Sequence, residues 1–193
     1  MERVTGKAEG RMSAIAMLKA DHKKVKKLFD QFEDAKGRKA KKKIVKSALQ
    51  ELNVHATLEE KIFYPSVRKE IDDEDLMNEA DEEHHVAKVL IAELEEMNGS
   101  ESHYDAKFSV LSENVRHHIK EEEGEMLPKA QKTDVDFDVL GEKMFRKKKA
   151  LMSDGVSGTA EAAMVAKSRG RGDSPAKAAQ RTMKARKRVS GKK

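Results

Sequence analysis

Two segments of the sequence share a pattern of residues that can bind a metal ion. In each, histidine is followed after three residues by glutamate and after five more by proline, at His55-Glu59-Pro65 and at His118-Glu122-Pro128. A histidine and a glutamate four residues apart lie on one face of an α-helix, about one turn from each other. Imidazole and carboxylate can then reach the same ion, so we interpret both segments as parts of a metal site.

Two other histidines precede matching series of apolar residues. Apolar side chains follow His22 at offsets 3, 6, 7 and 10, and the same offsets from His84 are also apolar. Counting from His85 gives a poor match, so His84 is predicted to face the interior. The offsets to Glu122 and Pro128 likewise favour His118 over His117, although His117 and Glu121 have the same His-x3-Glu spacing.

These residues must be positioned by helices, because apolar residues recur at three- and four-residue spacing and proline occurs at three positions. We predict four long helices over about 13–33, 44–69, 74–97 and 101–129. Their short connections favour antiparallel neighbours, which makes the fold class all-α, an up-down-up-down four-helix bundle. A short fifth helix over about 134–152 is expected to lie against it.

The charge distribution divides the chain into an acidic body and a basic tail. Residues 147–193 hold 14 of the 40 Lys and Arg and 3 of the 35 Asp and Glu, a net charge of +11, which leaves −6 for residues 1–146. We therefore divide the chain into a bundle at 12–130, an additional helix at 131–152 and a basic, flexible tail at 153–193. Within the tail, Ser174-Pro175 is a possible start for a basic helix that reaches Arg188.

The composition also excludes several classes of protein. There is no cysteine, so disulfides and thiolate metal sites are excluded. No apolar run approaches the roughly 20 residues that span a bilayer, and the N-terminus lacks the apolar core of a secretory signal. We expect no membrane association and a cytoplasmic location.

The predicted ligand set contains one contribution from each helix. Its four histidines and two glutamates are His22, His55, Glu59, His84, His118 and Glu122. Paired metal sites in helix bundles have this composition, with bridging carboxylates and terminal imidazoles. A di-iron site is the leading expectation. Mononuclear iron, zinc and manganese are alternatives that the same donors accept.

The same motifs resemble those of the hemerythrin-like, or HHE cation-binding, proteins. The resemblance rests on Asp21-His22, His55-x3-Glu59, Glu83-His84 and His118-x3-Glu122 in the family's order, and it covers about 120 of the 193 residues. It implies that the four histidines are terminal iron ligands and that Glu59 and Glu122 bridge two irons. Lys88 stands where oxygen-carrying members have a further histidine. Lys88, Glu60, Glu121 or water then remain to complete the coordination.

The leading expectation from these features is a non-haem iron protein that senses or binds O2 or NO, or handles iron. Oxygen transport and catalysis are less favoured. One alternative is a di-iron enzyme that acts on peroxide or nitric oxide. Another is a DNA-associated stress protein, in which the basic tail binds nucleic acid without sequence preference. The sequence does not define the oligomeric state.

Overall fold

The first and third helices begin at side-chain caps that satisfy free backbone N–H groups. In the computed structural model, which describes residues 12–156 and 160–169, α1 spans Ala14–Asp34 and α3 spans Glu74–Glu95. The Ser13 hydroxyl accepts a hydrogen bond from the backbone N–H of Ala16. The Asp73 carboxylate accepts one from Leu76, which confirms the predicted start of α3.

The second and fourth helices each contain one wider turn. Helix α2 (38–71) consists of Arg38–Leu58, a π-helical turn at Glu59–Phe63, and Tyr64–Ile71. Helix α4 (104–130) consists of Tyr104–Glu121, a π-helical turn at Glu122–Met126, and Leu127–Ala130. Both wide turns begin at a glutamate of the predicted site.

The four long helices form the predicted antiparallel bundle. Helix α1 packs along α2 and α3 along α4, while α2 also contacts α3. No β-strand occurs in residues 12–156 or 160–169. The all-α fold class is therefore confirmed.

A fifth helix, α5, spans Phe137–Asp154 and packs against α1 and α2, as predicted. Gly141 of α5 lies close to the backbone at the start of α1. A Cβ atom at Gly141 would clash with the carbonyl oxygen of Met12 and lie 2.8 Å from the backbone nitrogen of Ala14. Glycine therefore allows α5 to lie directly on the start of α1.

A sixth helix, α6, spans Ala160–Arg169 and contacts α3. We expected a flexible tail from residue 153, and this segment corrects that expectation for residues 160–169. Alanine is frequent in it and favours a helix, while Val165 and Glu161 are buried. The possible helix at 174–188 and its nucleic-acid binding remain predictions, because those residues lie outside the described part of the chain.

The interior of the bundle has two apolar clusters with a polar layer between them. One cluster includes Leu18, Leu58 and Leu127, and the other includes Phe29 and Phe108. The buried polar layer comprises the six predicted site residues, His22, His55, Glu59, His84, His118 and Glu122. Burying so many polar groups is costly unless each has a partner.

Candidate metal centre

The structure brings the six predicted residues together in two groups that share Glu59. Within each group, the atoms available to bind an ion lie within 4.8 Å of one another. The first group contains His22, His55, Glu59 and Glu122, and the second contains Glu59, His84 and His118. The neighbours that the offset comparison rejected, His85 and His117, are exposed.

The first group converges on the Nε2 atoms of two histidines. His22 Nε2 lies 3.1 Å from His55 Nε2 and 3.1 Å from Glu122 Oε2. His55 Nε2 lies 3.0 Å from Glu59 Oε1. The first group thus offers two imidazole nitrogens and two carboxylates to one point.

The second group repeats this arrangement with one carboxylate fewer. Glu59 Oε2 lies 3.2 Å from His84 Nε2, which lies 3.2 Å from His118 Nε2. The two oxygens of Glu59 therefore face different groups, as a bridging carboxylate requires. The resemblance implied that Glu122 also bridges the two irons. In the structure, the Glu122 carboxylate lies next to His22 of the first group.

Each of these glutamates starts a π-helical turn, a feature that we did not predict from the sequence. The N–H of Tyr64 donates to the carbonyl of Glu59, five residues earlier, and Leu127 does the same to Glu122. Pro65 and Pro128 follow directly; proline has no N–H, and its ring would clash with the carbonyl four residues earlier in an α-helix. The wide turn relieves that clash, and such turns are frequent at functional sites.

Buried polar atoms without partners show that the residues fit a cation. None of the four carboxylate oxygens of Glu59 and Glu122 takes part in a hydrogen bond of normal geometry, although ring nitrogens lie close by. Pairs of Nε2 atoms also face each other, which is unfavourable unless one carries a proton. A metal ion between these atoms would satisfy the carboxylates and both lone pairs. Imidazole and carboxylate suit iron, manganese or zinc.

The second ring nitrogen of every site histidine faces a carboxylate from a neighbouring helix. The four pairs are His22–Glu123 at 2.8 Å, His55–Asp21 at 3.8 Å, His84–Glu60 at 3.1 Å and His118–Glu83 at 2.7 Å, measured from Nδ1. The 3.8 Å separation exceeds a hydrogen bond. In the other three pairs, an Nδ1–H that donates to the carboxylate leaves the Nε2 lone pair for a metal.

These carboxylates form a closed ring around the bundle. Helix α1 supplies Asp21 to the histidine of α2, α2 supplies Glu60 to α3, α3 supplies Glu83 to α4, and α4 supplies Glu123 to α1. Glu123 was not among the residues that the sequence predicted for the site. The available signal was that each carboxylate is adjacent in sequence to a residue of the predicted set.

The two remaining candidates for completing the coordination have other partners. Lys88 Nζ lies 3.0 Å from Glu60 and 3.4 Å from Glu161 of α6. Burial lowers the pKa of Lys88, but these two carboxylates raise it above its ordinary value, so the side chain is an ammonium group without a free lone pair. Glu121 lies 3.1 Å from the exposed His117.

Tyr64, which was not among the predicted site residues, lies at the second group. Its hydroxyl is 3.2 Å from His84 Nε2, and the side chain is buried. Burial and the negative charge of Glu59 raise the pKa of Tyr64 well above its ordinary value, which keeps the phenol protonated. The second group therefore has a hydrogen-bond donor beside it.

The close carboxylates strongly favour protonated histidines in the metal-free chain. Burial alone lowers the pKa of His55, but Glu59 and Asp21 raise it to about 10. For His84, burial is likewise outweighed by Glu59 and Glu60, which raise the pKa to about 9. Burial raises the pKa of Glu59, and His55 and His84 lower it well below its ordinary value.

These shifts predict that the metal-free protein loses stability as pH rises above neutrality. The ordinary pKa of histidine is 6.5, so between that pH and about 9 the folded state holds protons on His55 and His84 that the unfolded state has lost. Each such proton reduces the free energy of unfolding by about 1.4 kcal/mol per pH unit. Urea unfolding in the presence of a chelator, at about pH 6 and about pH 9, measures the difference. A midpoint that rises over this interval would contradict the assignment.

The fold and the two groups define an all-helical protein with a buried histidine and carboxylate centre. Residues 13–130 match the Hemerythrin HHE cation binding domain family, and the chain belongs to that family. Membership implies cation binding, typically of iron. The buried His and Glu groups described above could hold such an ion.

One solved structure shows the same fold. It is a Hemerythrin HHE cation binding domain-containing protein from Mycobacterium kansasii, with a TM-score of 0.64 and 23% sequence identity; the match covers 78% of this chain and 97% of that one. No curated protein matched the sequence. In the described part of the chain, no helix has the length and apolar character needed to span a membrane.

Proposed function

We propose that the chain holds two iron ions in its two buried groups and binds a small molecule such as O2 or NO there. The proposed ligands are the six residues of the polar layer, His22, His55, Glu59, His84, His118 and Glu122. The shared Glu59 and the unpartnered carboxylate oxygens support a pair of ions. When bound, iron would supply a redox-active Lewis acid that coordinates diatomic molecules.

A small cavity beside the histidines is the observation that carries the proposal. Its volume is about 30 Å³, and its lining includes all four site histidines. The other lining residues are mainly apolar, among them Val25, Leu52, Ala87, Ile91, Val115 and Ile119. A space of this size holds a water or a diatomic molecule but no larger substrate. An apolar lining also favours uncharged ligands over ions.

Lys88 favours sensing over oxygen transport, because it connects the cavity with helix α6. Its side chain lines the cavity, and its ammonium group lies between Glu60 of α2 and Glu161 of α6. Glu60 in turn faces Nδ1 of His84. A ligand that changes the charge at the second group would therefore change the electrostatic energy of the contact that holds α6.

The test uses iron-loaded full-length protein and nitric oxide as the probe. We expect two irons per chain, near-ultraviolet absorption of an oxo- and carboxylate-bound iron pair, and a spectral change on addition of NO. Ala87→Leu should fill the cavity and weaken NO binding at least about tenfold, or about 1.4 kcal/mol, without loss of iron. Val86→Leu is the matched control, because Val86 is exposed on the same helix.

Two results would contradict this function. One is stoichiometric zinc without iron in protein purified without added metal. The other is a complete iron pair whose absorption does not respond to NO or O2. Equal NO affinity in Ala87→Leu and the control would separately exclude the cavity as the binding position.

Tyr64 favours a second candidate, an enzyme that acts on peroxide or nitric oxide. Such chemistry needs a proton donor near the bound oxygen, and the neutral phenol lies 3.2 Å from His84 Nε2. Steady-state peroxide turnover that falls at least about a hundredfold in Tyr64→Phe, the lower end of a general-acid contribution, would support the enzyme. Absence of turnover in the iron-loaded parent protein would leave the binding function alone.

A further inference from the structure

A separate set of side chains able to bind a metal lies at the surface, next to the buried centre. We name His117, Glu121 and Glu83 the outer cluster; their candidate donor atoms lie within 4.8 Å of one another. His117 Nε2 is 3.1 Å from Glu121 Oε1, on the next turn of α4, and 3.8 Å from Glu83 Oε1 on α3. The His117 side chain is 60% exposed, so ions in solution reach it directly.

An exposed histidine and glutamate one turn apart are ordinarily a weak ion pair. The outer cluster differs because its third member comes from another helix. Its donor set, one imidazole and two carboxylates, also matches the ligands that Fe²⁺, Mn²⁺ and Zn²⁺ accept, with positions left for water. The arrangement is therefore a three-donor surface site.

The outer cluster is joined directly to the buried centre through Glu83. One oxygen of Glu83 faces His117, and the other accepts a hydrogen bond of 2.7 Å from Nδ1 of His118. His118 belongs to the second group of the buried centre. A cation held by Glu83 would thus be one side chain away from a proposed ligand of iron.

A narrow acidic cavity provides an independent reason to connect the two sites. Its volume is about 10 Å³, close to the smallest space that holds a water. Four glutamates line it, and they run from the exposed Glu79 through Glu83 and Glu121 to the buried Glu122. His118 is also in the lining, and none of the lining residues is Lys or Arg. Apart from His118, every ionisable residue that lines this cavity is acidic.

We infer that the outer cluster is a loading site, which takes Fe²⁺ from solution and passes it to the buried centre. Carboxylates lower the energy of a cation as it leaves water, and a cleft lined by one sign of charge raises the local concentration of the opposite ion. The step in which Fe²⁺ passes on to the buried centre rests on the proposed function, because that function places iron there. Binding at the outer cluster itself does not, because its three donors include none of the six buried residues.

The experiment uses the metal-free full-length protein with Co²⁺ for stoichiometry and Fe²⁺ for the loading rate. The parent should bind one Co²⁺ more than His117→Ala. It should also load Fe²⁺ into the buried centre roughly tenfold faster, the lower end of the gain from a focused field, with the same final iron content in that centre. Glu121→Gln, which keeps the side-chain shape, should show the same losses. His103→Ala replaces another exposed histidine and should behave as the parent.

A double variant separates this inference from the proposed function. Glu59→Ala/Glu122→Ala should still bind one Co²⁺, and adding His117→Ala should abolish it. If that ion is absent, or if His117→Ala binds and loads as the parent does, the loading site is overturned while the buried centre stands. Loss of the extra ion with an unchanged Fe²⁺ rate would overturn the loading role. A parent that binds one Co²⁺ in total, lost in His117→Ala, would contradict the buried centre and keep the outer site.

Discussion

Glu59→Ala is expected to remove both metal ions of the buried centre, whereas Glu122→Ala is expected to leave its second group able to bind one. The two oxygens of Glu59 face His55 in one group and His84 in the other, so one substitution takes a donor from each. Glu122 contacts His22 in the first group. Loss of an outer partner of a metal ligand costs up to about 100-fold in affinity, and loss of a direct, shared ligand should exceed that.

Glu51→Ala is the matched control for this pair of substitutions. Glu51 is another buried glutamate of α2, but it pairs with Lys24 and lies outside both groups. After equilibration with Fe²⁺ under anaerobic conditions and gel filtration, which strips ions held only at the exposed outer cluster, the iron content should be two per chain in the parent and in the control. Retention of both irons in Glu59→Ala would refute a bridging role for this carboxylate.

The spacing of residues along the sequence was sufficient to predict the bundle and to predict that the six residues lie close together in it. A helix has a fixed rotation per residue, so the offsets from His22 and His84 determine which histidine of an adjacent pair faces the core. His84 is buried, whereas His85 is exposed and pairs with Glu161. Local geometry within one helix was all that this inference required.

The pairing of each ring carboxylate with a histidine could not be predicted from the sequence, because it depends on contacts between helices. Glu83 belongs to the Glu83-His84 motif, but nothing within its own helix identifies His118 as its partner, and Glu123 looks like an ordinary surface charge in its own segment. Each becomes a partner of a histidine only when the neighbouring helix is placed beside it with the correct rotation. No periodicity within one helix contains that rotation.

Two local features were missed for other reasons. Both π-helical turns had a signal in Pro65 and Pro128, since proline inside a helical pattern requires a local change in hydrogen bonding. Helix α6 had almost none, because Val165 is the one buried large apolar side chain among its residues 161–167. Its Glu161 also makes ion pairs with His85 and Lys88, which depend on the neighbouring helix.

Phe108→Ala is expected to lower the free energy of unfolding by about 3–5 kcal/mol, the usual cost of removing a buried phenylalanine ring. Phe108 is completely buried in the apolar cluster that also contains Phe29. Its ring centroid lies 5.7 Å from that of Phe29 and 4.5 Å from that of Phe32. Stabilities of whole domains are about 5–15 kcal/mol, so this variant should lose a large part of the total.

Phe145→Ala makes the same chemical change on α5, where the ring is 60% exposed. Its effect should stay within about 0.5 kcal/mol, and urea unfolding of both variants in metal-free form measures the difference. Metal should still bind the folded fraction of Phe108→Ala, since no donor is changed, and binding to the folded state alone should recover part of the lost stability. Equal losses in the two variants would mean that Phe108 does not anchor the core on this side of the polar layer.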